Sequence, residues 1–224
     1  MQLVLPLGAN NQMRREDFII APGNQAALAF LDAYPAWPAP MAALHGAAAS
    51  GKTHLARIWA DAAGARIIEA RDLLEAPDAG PLVIENVDAA PSFSKDTSAH
   101  EAALFALMAR GTPLLLTGRA APAHWPVQMG DLASRFKSLL GFELGAPDEA
   151  LLLALAVKLF ADRQLQVPVS VVTRLVHGLE RSPAAIRDFI ARADALALAR
   201  QKPVNLALVN ELMEPKQGGF PGLS

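Results

Sequence analysis

The octapeptide GAAASGKT, Gly46 to Thr53, most narrows what this chain can become. It follows the apolar run MAALH and leads into the amphipathic stretch THLARIWADAAG, so it joins an expected strand to an expected helix. A G-x-x-x-x-G-K-[ST] pattern at such a junction forms a concave anion site. The backbone N–H groups of Gly46, Ala47, Ala48, Ala49, Ser50 and Gly51, continuing into the helix start at His54, point at phosphate oxygens. Lys52 then reaches the terminal phosphates as a point charge, and the Thr53 hydroxyl ligates magnesium. A glycine turn carrying a surface lysine is the bland alternative. The flanking strand and helix favour nucleotide binding.

The same alternation extends over the first half of the chain. ARIIEA, PLVIEN and PLLLTG read as strands, and SAHEAALFALMARG as a helix, with a further helix expected from Asn24 to Tyr34. Short apolar strands separated by helices indicate a parallel sheet covered on both faces, hence an α/β class. GFELGAPDE looks like a last strand and a boundary. Beyond it, EALLLALAVKLFADRQLQ, PVSVVTRLVHGLE, PAAIRDFIARADALALARQ and NLALVNELM show helical periodicity, split at Pro168, Pro183 and Pro203. The expected organisation is an N-terminal segment and tether over 1–16, an α/β domain over 17–145, a small all-helical domain over 146–214, and a loose tail over 215–224.

Hydrolysis of a bound nucleotide needs a magnesium-orienting acid at the end of a second strand, usually followed by an acid that polarises the attacking water. PLVIEN places Glu85 at the first position and Asn86 at the second. Glu85 suits a metal-bound water; Asn86 cannot take a proton near neutral pH. Asp88 is close enough to substitute if a turn presents it. PLVIEN as a plain buried strand with a solvent-facing polar end is the other reading. The expectation is a nucleotide binder with weak ATPase activity of its own.

Charge sets limits on partners. Lys plus Arg number 20 against 22 Asp plus Glu, a formal net charge of −2, so no global positive field advertises nucleic acid or an anionic membrane. The absence of cysteine excludes disulfides and thiolate chemistry. The opening MQLVLPLGANNQ lacks the basic flank of a signal peptide, and the run ALLLALAV is too short to span a bilayer, so a cytoplasmic protein is expected. The five histidines show no paired metal spacing, and Trp37, Trp59 and Trp125 read as packing residues.

The order DFIIAPGNQAALAFL, GAAASGKTHLARIWA, LVIENVD, LLLTG, LASRF and AIRDFI resembles the AAA+ module of the replication initiator DnaA over roughly residues 17–213. The resemblance implies a P-loop AAA+ domain followed by a helical lid. It puts Pro22 and Asn24 near the adenine, Glu85 in the magnesium position, Thr117 as first sensor and Arg187 in the lid as second sensor. It makes Arg135 of LASRF a trans-acting arginine finger, whereas residue spacing alone suggests a helix-surface arginine paired with Asp131.

No basic recognition helix follows the expected lid, and QLVLPL precedes the module. That arrangement is similar to the Hda family of DnaA-related regulators. It implies that Gln2, Leu3, Leu5, Pro6 and Leu7 bind the DNA polymerase III beta sliding clamp. It further implies that the chain holds ADP (or ATP) with magnesium, forms a homodimer, and contacts DNA only through the clamp. Its function would be to stimulate hydrolysis by ATP-bound DnaA and so restrain replication initiation. A helicase-loader-type ATPase that binds single-stranded DNA is the alternative; Asn86 and the acidic balance count against it.

Overall fold

The structure is a computed structural model that describes residues 13–77, 79–89 and 97–214. Its Cα packing divides the chain into two compact units, Met1–Ala146 and Pro147–Ser224.

The first unit is a five-stranded sheet of order β2-β3-β4-β1-β5, with every adjacent pair parallel. Its strands are β1 (Met41–His45), β2 (Arg66–Glu69), β3 (Leu82–Glu85), β4 (Leu114–Gly118) and β5 (Leu140–Glu143). Around it lie α1 (Gln25–Asp32), α2 (Lys52–Ala63), α3 (Thr97–Ala109) and α4 (Gly130–Ser138). Side chains of a strand alternate between faces, and on β1, β3 and β4 both faces are covered. Ala42, Leu44, Val83 and Leu115 meet α1 and α2 through Leu28, Leu55 and Trp59. Their neighbours Ala43, Ile84, Leu114 and Leu116 meet α3 and α4 through Leu104, Met108, Leu132 and Phe136. The α/β class expected from the apolar runs therefore holds, with β1, β3 and β4 forming the buried centre.

The α1 side carries an aromatic ladder. Trp37 stacks on Phe30 at 4.5 Å and on Trp59 at 5.0 Å, and Phe30 meets Phe142 of β5 at 4.7 Å. Trp37 donates its indole N–H to the Phe30 carbonyl at 2.9 Å.

The second unit is all helical: α5 (Glu149–Asp162), α6 (Val169–Gly178), α7 (Pro183–Arg200) and α8 (Leu206–Met213). Its starts follow capping chemistry. Asp148 accepts the Leu151 N–H at 2.7 Å, Ser182 accepts the Ala185 N–H at 3.2 Å ahead of Pro183, and Asn205 accepts the Leu208 N–H at 3.0 Å. Leu152, Phe160, Leu175 and Phe189 anchor its core. Among the described residues no helix is long and apolar enough to cross a membrane.

Candidate functional site

The C-terminal ends of β1, β3 and β4 meet at the phosphate loop, where open parallel sheets place their ligands. The loop leaves β1 at Gly46 and enters α2 at Lys52. Three of its residues have positive φ: Gly46 at 144°, Ala49 at 61° and Gly51 at 99°. Gly46 has a second reason to lack a side chain, because a Cβ there would lie 2.3 Å from the Leu144 carbonyl oxygen. Its N–H donates to the Arg119 carbonyl at 3.1 Å, which ties the loop to the end of β4. Ala49 pays the left-handed penalty of about 1–2 kcal/mol without glycine's freedom, a strain of the kind found at ligand sites. Ala47, Ala48 and Ala49 form an exposed crest, while Ser50 is buried beneath it.

Lys52 folds over this crest. Its Nζ donates to the carbonyls of Gly46 and Ala47 at 2.7 Å each and to Ser50 Oγ at 3.4 Å. Burial pushes its pKa below the ordinary lysine value; Asp88 pulls it up, Arg119 pushes it down, and Glu85 pulls it up. Lys52, Asp88, Arg119 and Glu85 therefore share one electrostatic neighbourhood.

Glu85 ends β3 at 8% exposure, and its Oε1 is buried with no hydrogen-bond partner among the described residues. A buried carboxylate oxygen left without a donor is costly. A magnesium-bound water would satisfy it, so the residues present fit the ion, which Thr53 and Glu85 would hold. Among the described residues no three His, Cys, Asp or Glu side chains converge as a metal-holding group.

The positions beside Glu85 are occupied otherwise. Asn86 takes φ 60°, donates its backbone N–H to Thr117 Oγ1 at 3.1 Å, and donates its side-chain amide to Glu69 Oε2 at 3.0 Å. Asp88 gives its Oδ2 to the backbone, accepting the N–H groups of Arg119 at 2.6 Å and Ala120 at 2.7 Å. It braces the end of β4. Thr117, 1% exposed, stands in that strand beside Glu85 and Asn86. Sequence reasoning passed over Glu69, Arg119 and the bracing role of Asp88. Glu69 was findable, because it ends the run ARIIE just as Glu85 ends PLVIE.

Behind the β4 turn, Trp125 donates its indole N–H to the Ala120 carbonyl at 2.8 Å and lies against Gly118. A Cβ on Gly118 would fall 2.7 Å from Trp125 Nε1 and 2.8 Å from Cε2 and Cζ2. Gly118→Ala is expected to destabilise the protein by about 1–3 kcal/mol through overpacking. Thermal unfolding should register a drop of about 2–4 °C per kcal/mol.

Other expected contacts are placed as follows. Pro22 is exposed; Asn24 is buried, and its amide closes its own turn through the Ala21 N–H at 2.9 Å and the Ile19 carbonyl at 3.0 Å. The His54 ring turns to the Arg14 carbonyl at 2.9 Å and meets Phe18 edge-on at 5.1 Å, fastening residues 14–18 to the start of α2. Arg135 lies on α4, half-buried, its guanidinium 4.5 Å from the centre of the Phe105 ring. Among the described residues it forms no ion pair with Asp131, so the pairing that spacing suggests is not made. Arg187 lies on α7, half-buried, in the second unit. Gln2, Leu3, Leu5, Pro6 and Leu7 lie outside the described residues.

Neither a protein-family model nor a curated protein sequence matches the chain. Solved structures do. Domain III of the Thermotoga maritima replication initiation protein DnaA superposes with a TM-score of 0.75 at 19% identity, covering 92% of this chain and 99% of that one. The chain has the AAA+ fold. AMPPCP-bound DnaA from Aquifex aeolicus follows at TM-score 0.67 and 17% identity, covering 83% of this chain and 68% of that one. The Thermotoga maritima RuvB Holliday junction branch migration motor gives 0.65 and 15%, with 90% and 71% covered. At these identities the likeness is one of fold.

Proposed function

We propose that this chain is a nucleotide-loaded AAA+ regulator of replication initiation that stimulates ATP hydrolysis by DnaA while tethered to the beta sliding clamp. The observation that carries the reading is an asymmetry within one site. Everything needed to hold phosphates is present, while the position of the second acid is Asn86, its amide bonded to Glu69. Such a site binds ADP or ATP and turns over slowly.

Gly46, Gly51, Lys52 and Thr53 hold the phosphates, Glu85 orients the magnesium shell, and Thr117 reads the strand end. Magnesium, when bound, neutralises charge on the phosphate oxygens. Arg135 supplies its guanidinium to the nucleotide of a docked DnaA subunit. Arg187 reports lid position. A cytoplasmic homodimer presenting two N-terminal segments suits a ring-shaped clamp, with DNA contacted only through that ring.

The segment Gln2–Leu7 would bind as an extended peptide. Gln2 makes oriented hydrogen bonds, Leu5 and Leu7 fill apolar pockets, Leu3 supports them, and Pro6 limits disorder in the free segment. Burying three leucines gives a gross gain of roughly 5–9 kcal/mol, much of it offset by ordering and association. One copy then binds at about micromolar strength, and two copies gain avidity. Gln2→Ala is accordingly expected to abolish clamp retention and clamp-dependent stimulation while leaving nucleotide binding unchanged. The assay uses DnaA loaded with labelled ATP, clamp on DNA, and wild-type or Gln2→Ala protein. Equal stimulation with and without loaded clamp would sink the tether; rapid ATP turnover by the isolated chain would favour the loader-type ATPase.

A further inference from the structure

We infer that α3 carries the positioning residues for Arg135: Phe105 orients its guanidinium, and Glu101 fixes the helix that bears it. The inference rests on the reading that Arg135 acts on a partner's nucleotide.

Glu101 is 2% exposed, an unusual place for a carboxylate. Its Oε1 accepts the Gln128 N–H at 2.8 Å and its Oε2 accepts the Met129 N–H at 2.7 Å. Met129 is the N-cap of α4 and has no cap of its own, so Glu101 supplies from α3 the acceptor and the negative charge that a helix start favours. The underside of α4 is fixed too: Leu132 and Phe136 are buried, and Trp125 meets Phe136 edge-on at 4.9 Å. With the helix held at its start and along its base, the soft degrees of freedom left are those of the Arg135 side chain.

Phe105 restrains them. It lies one turn beyond Glu101 on α3, so a single face of that helix meets both the start of α4 and its arginine. The Arg135 guanidinium sits 4.5 Å from the Phe105 ring centre, within cation–π range. An aromatic face holds a guanidinium without neutralising it or occupying its N–H donors, whereas a carboxylate would do both. A side chain meant to meet a developing negative charge gains from arriving ordered with its donors open.

The test compares Phe105→Leu, Phe105→Tyr, Arg135→Ala and wild type in single-turnover hydrolysis of labelled ATP on DnaA, with clamp loaded on DNA. Phe105→Leu keeps an apolar side chain but removes the π face; it should lower the maximal stimulated rate about two- to fivefold, the size of an incompletely desolvated cation–π contact. The half-saturating concentration and ADP affinity should stay at wild-type values, the melting temperature should fall by only about 1–4 °C, and Phe105→Tyr should restore the rate. Full stimulation by Arg135→Ala removes the parent reading. Equal or faster hydrolysis with Phe105→Leu beside an inactive Arg135→Ala, or a tyrosine no better than leucine, removes the positioning role alone. An NMR measurement independent of DnaA closes the question of geometry. The Arg135 Nε–H resonance should be shifted upfield by the Phe105 ring current and should lose that shift in Phe105→Leu; an unmoved resonance overturns the inference.

Discussion

Lys52→Ala should weaken ADP and ATP binding roughly 30-fold to a few thousandfold, the range set by deleting one partner of a partly buried, hydrogen-bonded charge pair at about 2–5 kcal/mol. The structure shows why the loss should be large. Lys52 is the cation laid across the loop crest, where its Nζ already bonds the carbonyls of Gly46 and Ala47. Bound phosphates would exchange those neutral acceptors for anionic ones, strengthening each hydrogen bond. Alanine removes both the phosphate charge partner and the tie that draws the two carbonyls together. Calorimetric titration with ADP and magnesium measures the effect, and circular dichroism checks that the sheet survives. Affinity within threefold of wild type would mean that nucleotide is not held at this loop.

Arg135→Ala should return hydrolysis by clamp-associated DnaA to its unstimulated rate. Arginine fingers supplied in trans are worth about 10³–10⁵ in GTPase systems, because a fixed guanidinium meets charge that develops only in the transition state. Losses from ordinary surface changes are far smaller, so the result separates the two readings of this residue. Arg135→Lys should recover little, since an ammonium lacks the planar fork. Clamp retention and the chain's own nucleotide affinity should be unchanged in both variants. A wild-type rate with Arg135→Ala would turn the protein from a catalytic partner into a scaffold.

What could be read from the residues alone was what they determine locally. MAALH, GAAASGKT and THLARIWADAAG carry strand, loop and helix in contiguous residues, and β1, the phosphate loop and α2 follow them. The second strand was legible as far as Glu85 for the same reason. The role of Asp88 was not, because its partners Arg119 and Ala120 lie 31 and 32 positions away and become neighbours only once β3 and β4 pair. The amide of Asn86 likewise finds Glu69 across 17 positions, through the register of β2 with β3. Arg135 shows the opposite failure. Helical spacing nominated Asp131 as its partner, but the contact formed is with Phe105 on another helix. Local periodicity names the residues on a shared face, and packing decides which of them meet.

The stack of Trp37 on Trp59, 5.0 Å apart and inclined by 18°, has a consequence beyond packing. Two indoles so close and so nearly parallel share their electronic excitation, so their near-ultraviolet dichroism and emission belong to the pair. Trp59 lies about two turns along the helix that begins at Lys52, and Trp125 lies apart, against Phe136. The chain thus carries a built-in optical reporter on the helix that starts at its phosphate loop, and it can be read without an added label.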